Sequence, residues 1–176
     1  ASYGAETGKM VEQLTSTGVK SIAVVYQDDP FGKAGLKSAQ GAFAKFNIKP
    51  TVEAPIDMSK LDALATTTAQ VARTHPGAII LITAGKASTA FIREYLKTGE
   101  RPQFFGVSVL SAKALLTDLG ADAHGIVIAQ VVPSPLRASY PISKEFIVAA
   151  KKANSKDTTY NSLEGYITAK VFVEAV

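Results

Sequence analysis

Asp28, Asp29 and Phe31 stand together in one short segment, Gln27-Asp28-Asp29-Pro30-Phe31-Gly32, directly after an apolar run. Two carboxylates can hold the polar groups of a small molecule, and an exposed ring can lie against its apolar part. An aspartate ahead of proline also makes a turn unaided, so Asp28 and Asp29 have a structural reading beside the chemical one. Ala84-Gly85 and Ser108 close two further apolar runs. Small residues at 84 and 85 leave room for a ligand, and equally suit a turn that uses glycine's freedom. His75 and His124 are not spaced as a metal site, and both suit solvated loops. The chain has no cysteine, which removes disulfides, thiolate nucleophiles and thiolate metal sites. No G-x-G-x-x-G follows the first apolar run, and neither G-x-x-x-x-G-K-[ST] nor G-x-S-x-G occurs. These absences argue against a cofactor-dependent enzyme, and the expectation is no metal and no cofactor.

The elements that must position these residues alternate with few exceptions. Ile22–Tyr26 is apolar on both faces, as strands are in parallel sheets covered by helices on both sides. A helix precedes it at 5–16, with Met10, Val11 and Leu14 as its stripe and Gly18 as its stop. A second helix over 33–46 aligns Leu36, Ala39, Phe43 and Phe46. Strand 51–56 follows, then helix 60–73 with Leu61, Leu64, Ala65 and Val71. Strand 78–83 is the most apolar, and helix 87–97 turns Phe91, Ile92 and Tyr95 inward. Strand 104–107, a short helix 111–119 and strand 126–131 complete the pattern. Five strands joined by helical crossovers predict an α/β fold: a three-layer, doubly wound parallel sheet in the flavodoxin-like order 2-1-3-4-5. In such sheets ligands bind outside the carboxyl ends of the strands.

After residue 132 the rhythm changes. Val132, Pro133, Ser134 and Pro135 read as a stiff, extended linker or hinge. Two helices then follow without a strand between them, over 142–153 and 161–176. Asn161 is expected to cap the second, with Glu164 nearby. The last residues, Val171–Val176, are amphipathic and carry no capping residue, so the chain reads as a fragment. The division expected is 1–132 and 133–176.

The 176 residues suffice for one full core, and 47% hydrophobic against 19% charged places the chain among globular proteins. A net charge of +4 from scattered lysines, with no basic run among stacking aromatics, argues against nucleic acid as a partner. No apolar run approaches the ~20 residues that span a bilayer, and the N-terminus lacks the regions of a signal peptide.

Four stretches carry a resemblance: Ile22–Gly35 (IAVVYQDDPFGKAG), Ala78–Arg93 (AIILITAGKASTAFIR), Phe104–Leu116 (FFGVSVLSAKALL) and Gly125–Pro135 (GIVIAQVVPSP). Tyr160–Val176 adds a fifth. Together they resemble the type I periplasmic solute-binding proteins of ABC importers, the Leu/Ile/Val-binding-protein family. The resemblance implies two α/β lobes joined by a hinge, with the ligand clamped between them. This chain is similar to the second lobe, the crossover back, and two helices that would pack on a missing first lobe. Ala1–Tyr3 and Pro133–Pro135 would then flank the hinge. The implied function is capture of a small solute, such as an amino acid, amide or aromatic acid, for an ABC permease, in the periplasm.

The resemblance also assigns the candidate ligand contacts. Phe31 falls where relatives present an aromatic to the ligand, and Ala84-Gly85 where some carry a bulky ring. Ser108 falls near the point where amino-acid-binding relatives hold the ligand ammonium with a carboxylate. A serine brings no negative charge, which argues against an α-amino acid and for a neutral molecule, an amide or an aromatic acid. The same fold also serves as a sensor ectodomain or a regulator's effector domain. A phosphoacceptor receiver domain would need an Asp near Thr83-Ala84 and a Lys near Gln130, and has neither.

Overall fold

A computed structural model describes residues 2–176. The chain divides into two units, Ala1–Ala129 and Gln130–Val176. In the first, β1 (Ile22–Gln27), β2 (Glu53–Ile56), β3 (Ala78–Ile82), β4 (Gln103–Gly106) and β5 (Val127–Ile128) form one sheet in the order β2-β1-β3-β4-β5. Every neighbouring pair is parallel, with Val24 opposite both Glu53 and Ile80, and Ile80 opposite Phe105. Topology and strand order are those read from the sequence.

The strands bury alternate residues on alternate faces. Ile22, Val24, Ala78, Ile80, Ile82, Phe105 and Val107 share a cluster with Met10, Val11 and Leu14 of α1 (Tyr3–Ser16) and Ala39, Ala42 and Phe43 of α2 (Pro30–Lys45). Ala23, Val25, Ile79, Leu81 and Phe104 share the other with α3 (Ala65–Ala72), α4 (Lys86–Leu96) and α5 (Ala112–Leu119). Two covered faces explain why β3 is wholly apolar and wholly buried. Pro55 interrupts β2, which its position at the sheet edge tolerates.

Several boundaries differ from those expected. α2 begins at Pro30 rather than Lys33, because Asp29 caps it and proline suits the first helical position. Phe46 ends up outside α2 and 40% exposed, off the stripe predicted for it. The helix expected over 60–73 splits into a 3₁₀ turn, Leu61–Ala63, and the eight-residue α3. Three successive threonines, 66–68, give it little intrinsic helix preference. Ala65, expected inward, is exposed. β5 shrinks to two residues because its partner β4 stops at Gly106, where the chain turns through Val107–Leu110.

The second unit holds α6 (Pro141–Lys152) and α7 (Tyr160–Ala175). Phe146 and Tyr166 bring ring centroids to 5.6 Å, and Glu145 accepts hydrogen bonds from Lys170 at 2.7 Å and from the Tyr166 hydroxyl at 2.9 Å. Thr159, not Asn161, caps α7. The segment before α6 is not extended throughout as expected: a turn closes from the Arg137 N–H to the Ser134 carbonyl, at 3.2 Å. No helix among the described residues is long and apolar enough to cross a membrane.

Two tests follow from this packing. A methyl group at Gly35 would overlap Cγ2 of the fully buried Ile82, so Gly35→Ala should lower stability by about 1–3 kcal/mol, read from urea unfolding. At the amino edge of the sheet, Glu100 accepts from the Tyr95 hydroxyl at 2.7 Å and lies 2.6 Å from His75 Nδ1. These two groups, Tyr95 first, hold its carboxyl below the ordinary 4.5. A depressed folded pKa contributes stability above 4.5 that disappears as pH falls through the folded value. The unfolding midpoint of the native chain should therefore fall more steeply below pH 4.5 than that of Glu100→Gln; parallel curves would show that the pair contributes nothing.

Candidate functional site

Parallel pairing brings the ends of β1, β3 and β4, three adjacent strands, to one edge of the sheet. Asp28, Asp29 and Phe31 follow β1, Ala84 and Gly85 follow β3, and Ser108 follows β4. The six residues predicted from three separate loops thus share one rim. Val132, Pro133, Ser134 and Pro135 lie in the other unit.

Phe31 belongs to the first turn of α2 rather than to a free loop. Its ring is half-buried, packed with the core cluster under α1 and α2 and meeting Tyr3 edge-on at a centroid distance of 5.1 Å. Both aspartates have structural partners. Asp28 pairs with Lys33 at 2.7 Å, which raises the lysine's pKa. Asp29 Oδ1 accepts from the Gly32 N–H and Oδ2 from the Gln27 side-chain amide, each at 2.8 Å.

Gln27 is a residue the sequence reading passed over. Buried at the end of β1, its amide donates to Asp29 while its Oε1 accepts from the Ala84 N–H at 2.6 Å. One side chain therefore fixes the β1–α2 and β3–α4 connections relative to each other. Its signal was available: a polar residue that continues an all-buried strand must find partners inside. Beyond Ala84, Gly85 has φ +54° and ψ −133°, a conformation that only glycine adopts easily. It precedes α4 without supplying a side-chain cap. Thr83 and Ser88 close this connection from below through hydroxyls 2.7 Å apart.

Ser108 is half-buried, and it is not alone. Its N–H donates to Glu6 Oε2 at 2.7 Å and its hydroxyl to Glu6 Oε1 at 3.0 Å. Glu6 is 6% exposed. Ser108 itself brings no charge, and α1 places the acidic side chain of Glu6 beside it. Spacing could have revealed it, since Glu6, Met10 and Leu14 recur every four residues along one helix face, and the latter two are core.

The histidines lie apart from the rim. His75 faces Glu100, and His124 Nδ1 donates to the Ala121 carbonyl at 2.8 Å. A groove of 670 Å³ among Gln40, Phe43, Asn47, Ile48, Pro50 and Glu53 also lies elsewhere, around the C-terminal end of α2. Among the described residues no cluster of three His, Asp or Glu side chains could hold a metal ion.

The family model described as periplasmic binding protein matches residues 1–176. Solved structures with the same fold include a substrate-binding periplasmic protein from Ralstonia solanacearum, with TM-score 0.89 and 28% identity over 100% of this chain and 50% of that one. A possible leucine/isoleucine/valine-binding protein from Rhodopirellula baltica matches with TM-score 0.89 and 28% identity, over 99% of this chain and 49% of that one. An extracellular ligand-binding receptor from Verminephrobacter eiseniae matches with TM-score 0.87 and 26% identity, over 97% and 49%. No curated protein matches the chain. The chain thus spans about half the length of the solved structures it resembles. With the family model matched from end to end and a sheet that superposes on one lobe of the type I fold, the chain belongs to the periplasmic binding proteins, a family of solute binders rather than enzymes.

Proposed function

We propose that this chain supplies one wall of the cleft of an extracytoplasmic solute-binding protein that delivers its ligand to an ABC permease. The observation that carries this reading is the convergence of Phe31, Gly85 and Ser108 at the carboxyl edge of three adjacent parallel strands, where open α/β sheets bind their ligands. Phe31 offers a solute the part of its ring that Tyr3 leaves free. Ala84 and Gly85 give the solute room to approach the backbone, and Ser108 marks the polar end. Asp28 and Asp29 shape the rim rather than touch the ligand, because their charges are used within the loop.

A rim of this kind is one-sided, whereas small-molecule sites bury about 70–90% of a ligand's surface. A first lobe that closes over the rim would complete the site, with Val132–Pro135 as the hinge. The half-length match supports that arrangement. So does α7, which exposes Val171, Phe172 and Val173 in succession, each at 61% or more. Large apolar side chains left exposed around one helix suit a contact with further protein. The names of the similar structures, periplasmic or extracellular, support placement outside the cytoplasm. The solute classes that the rim suits are amino acids, amides and aromatic acids.

Titration calorimetry of the complete two-lobed protein against those three classes should find a ligand in at least one of them. Phe31→Ala should then weaken that ligand about tenfold or more, by loss of buried aromatic surface, and also lower the unfolding midpoint because the ring packs on the core and on Tyr3, whereas Phe31→Leu should keep most of the stability and still weaken binding. Binding in none of the three classes, together with turnover of any substrate, would sink the proposal.

A further inference from the structure

The groove at the end of α2 has no part in the rim. α2 starts at the rim, at Pro30, and its 16 residues carry the chain to the opposite edge of the sheet, where β2 begins. The hollow of 670 Å³ there is lined by apolar Phe43, Ala44, Ile48 and Pro50 and by the charged Lys49 and Glu53. Phe46, the residue before Asn47 of the same lining, is 40% exposed. Neither charge is matched from within. Among the described residues Lys49 has no carboxylate within ion-pair distance. Glu53 is met by the neutral amide of Gln40, at 3.0 Å to each carboxylate oxygen. The adjoining edge of β2 is closed to strand addition, because Pro55 has no N–H and its carbonyl accepts from the Thr67 hydroxyl at 3.3 Å. Any contact here is made by side chains.

We propose that this groove is a two-fold contact between two copies of the protein. In such a contact one patch faces itself, so a residue that meets a second one is met by it in return. Lys49 of each copy then faces the partner's Glu53, and Phe46 of each lies against the partner's apolar lining. A purely acidic or purely basic partner would match one of the two charges and oppose the other, whereas a second copy matches both. In the solute-capture reading the first lobe closes over the rim, at the other end of α2, which leaves the groove free. Eight residues line it, against about 20–30 a side in a stable interface, so the association is weak and depends on concentration.

Sedimentation velocity of the complete two-lobed protein tests this. The weight-average mass should rise toward that of a dimer at concentrations up to about 1 mM. Lys49→Glu and Glu53→Lys should each weaken self-association about tenfold or more, because one substitution sets like charges against each other at both symmetric points. An equal mixture of the two variants should associate again, since the heterodimer carries opposite charges at both points. Lys49 is exposed, so Lys49→Glu alone decides where Glu53→Lys fails to fold. A protein that stays monomeric throughout overturns the proposal. So does a dimer that the single reversals leave intact, or a mixture of the variants that associates no better than either alone.

Discussion

Parallel pairing is the constraint on which everything else depends. A strand buried on both faces must be covered by helices on both, and each crossover then returns the chain to the same starting edge. The carboxyl ends of β1, β3 and β4 have no alternative to lying side by side. Residues far apart in sequence therefore meet with no long-range attraction between them, and functional side chains need only occupy the first positions after each strand. What the sheet does not fix is the height and tilt of the connecting segments. Gln27 fixes two of them through one amide, and the pair of bonds between Glu6 and Ser108 ties a third to α1.

The sheet was legible because its signals are redundant. Apolar runs such as Ala78–Ile82, proline and glycine between them, and stripes such as Phe91, Ile92 and Tyr95 all point to the same architecture. Boundaries were less legible where two rules compete. Asp29-Pro30 is both a turn signal and an ideal start for a helix, and tertiary packing of α2 against the sheet decides for the helix. β5 illustrates a different limit: its own residues permit a longer strand, but its length is set by where β4 turns away, which is encoded some twenty residues earlier.

The rim was half legible for a related reason. Residues that follow a strand directly could be placed by counting, so Phe31, Gly85 and Ser108 were found together. Glu6 and Gln27 belong to the elements themselves, in the first turn of α1 and at the last position of β1, where a polar side chain reads as solvent-facing until its partner is known. Glu6 enters from a helix that precedes the first strand, 102 residues from the serine it holds. No local pattern connects the two; only the position of Glu6 on the Met10–Leu14 face hinted that it is buried.

The carboxylates around this edge show how the rim sorts its charge. Asp57, just past β2, accepts two hydrogen bonds from Ser59 and pairs with Lys60 at 3.4 Å. Asp28 has Lys33, and Asp29 is placed at the N-terminus of α2, where helix amides favour a negative charge. Each of these three is less buried than Glu6, so water also shares the task of solvating it. Glu6 is the most buried of the four, and among the described residues the side chain that holds it is Ser108. A carboxylate of that kind is stable only while its hydrogen bonds are held in place, which is what the paired N–H and hydroxyl of Ser108 do. The rim thus ties its most buried acidic side chain to the serine after β4, while Asp28, Asp29 and Asp57 are held within their own connections.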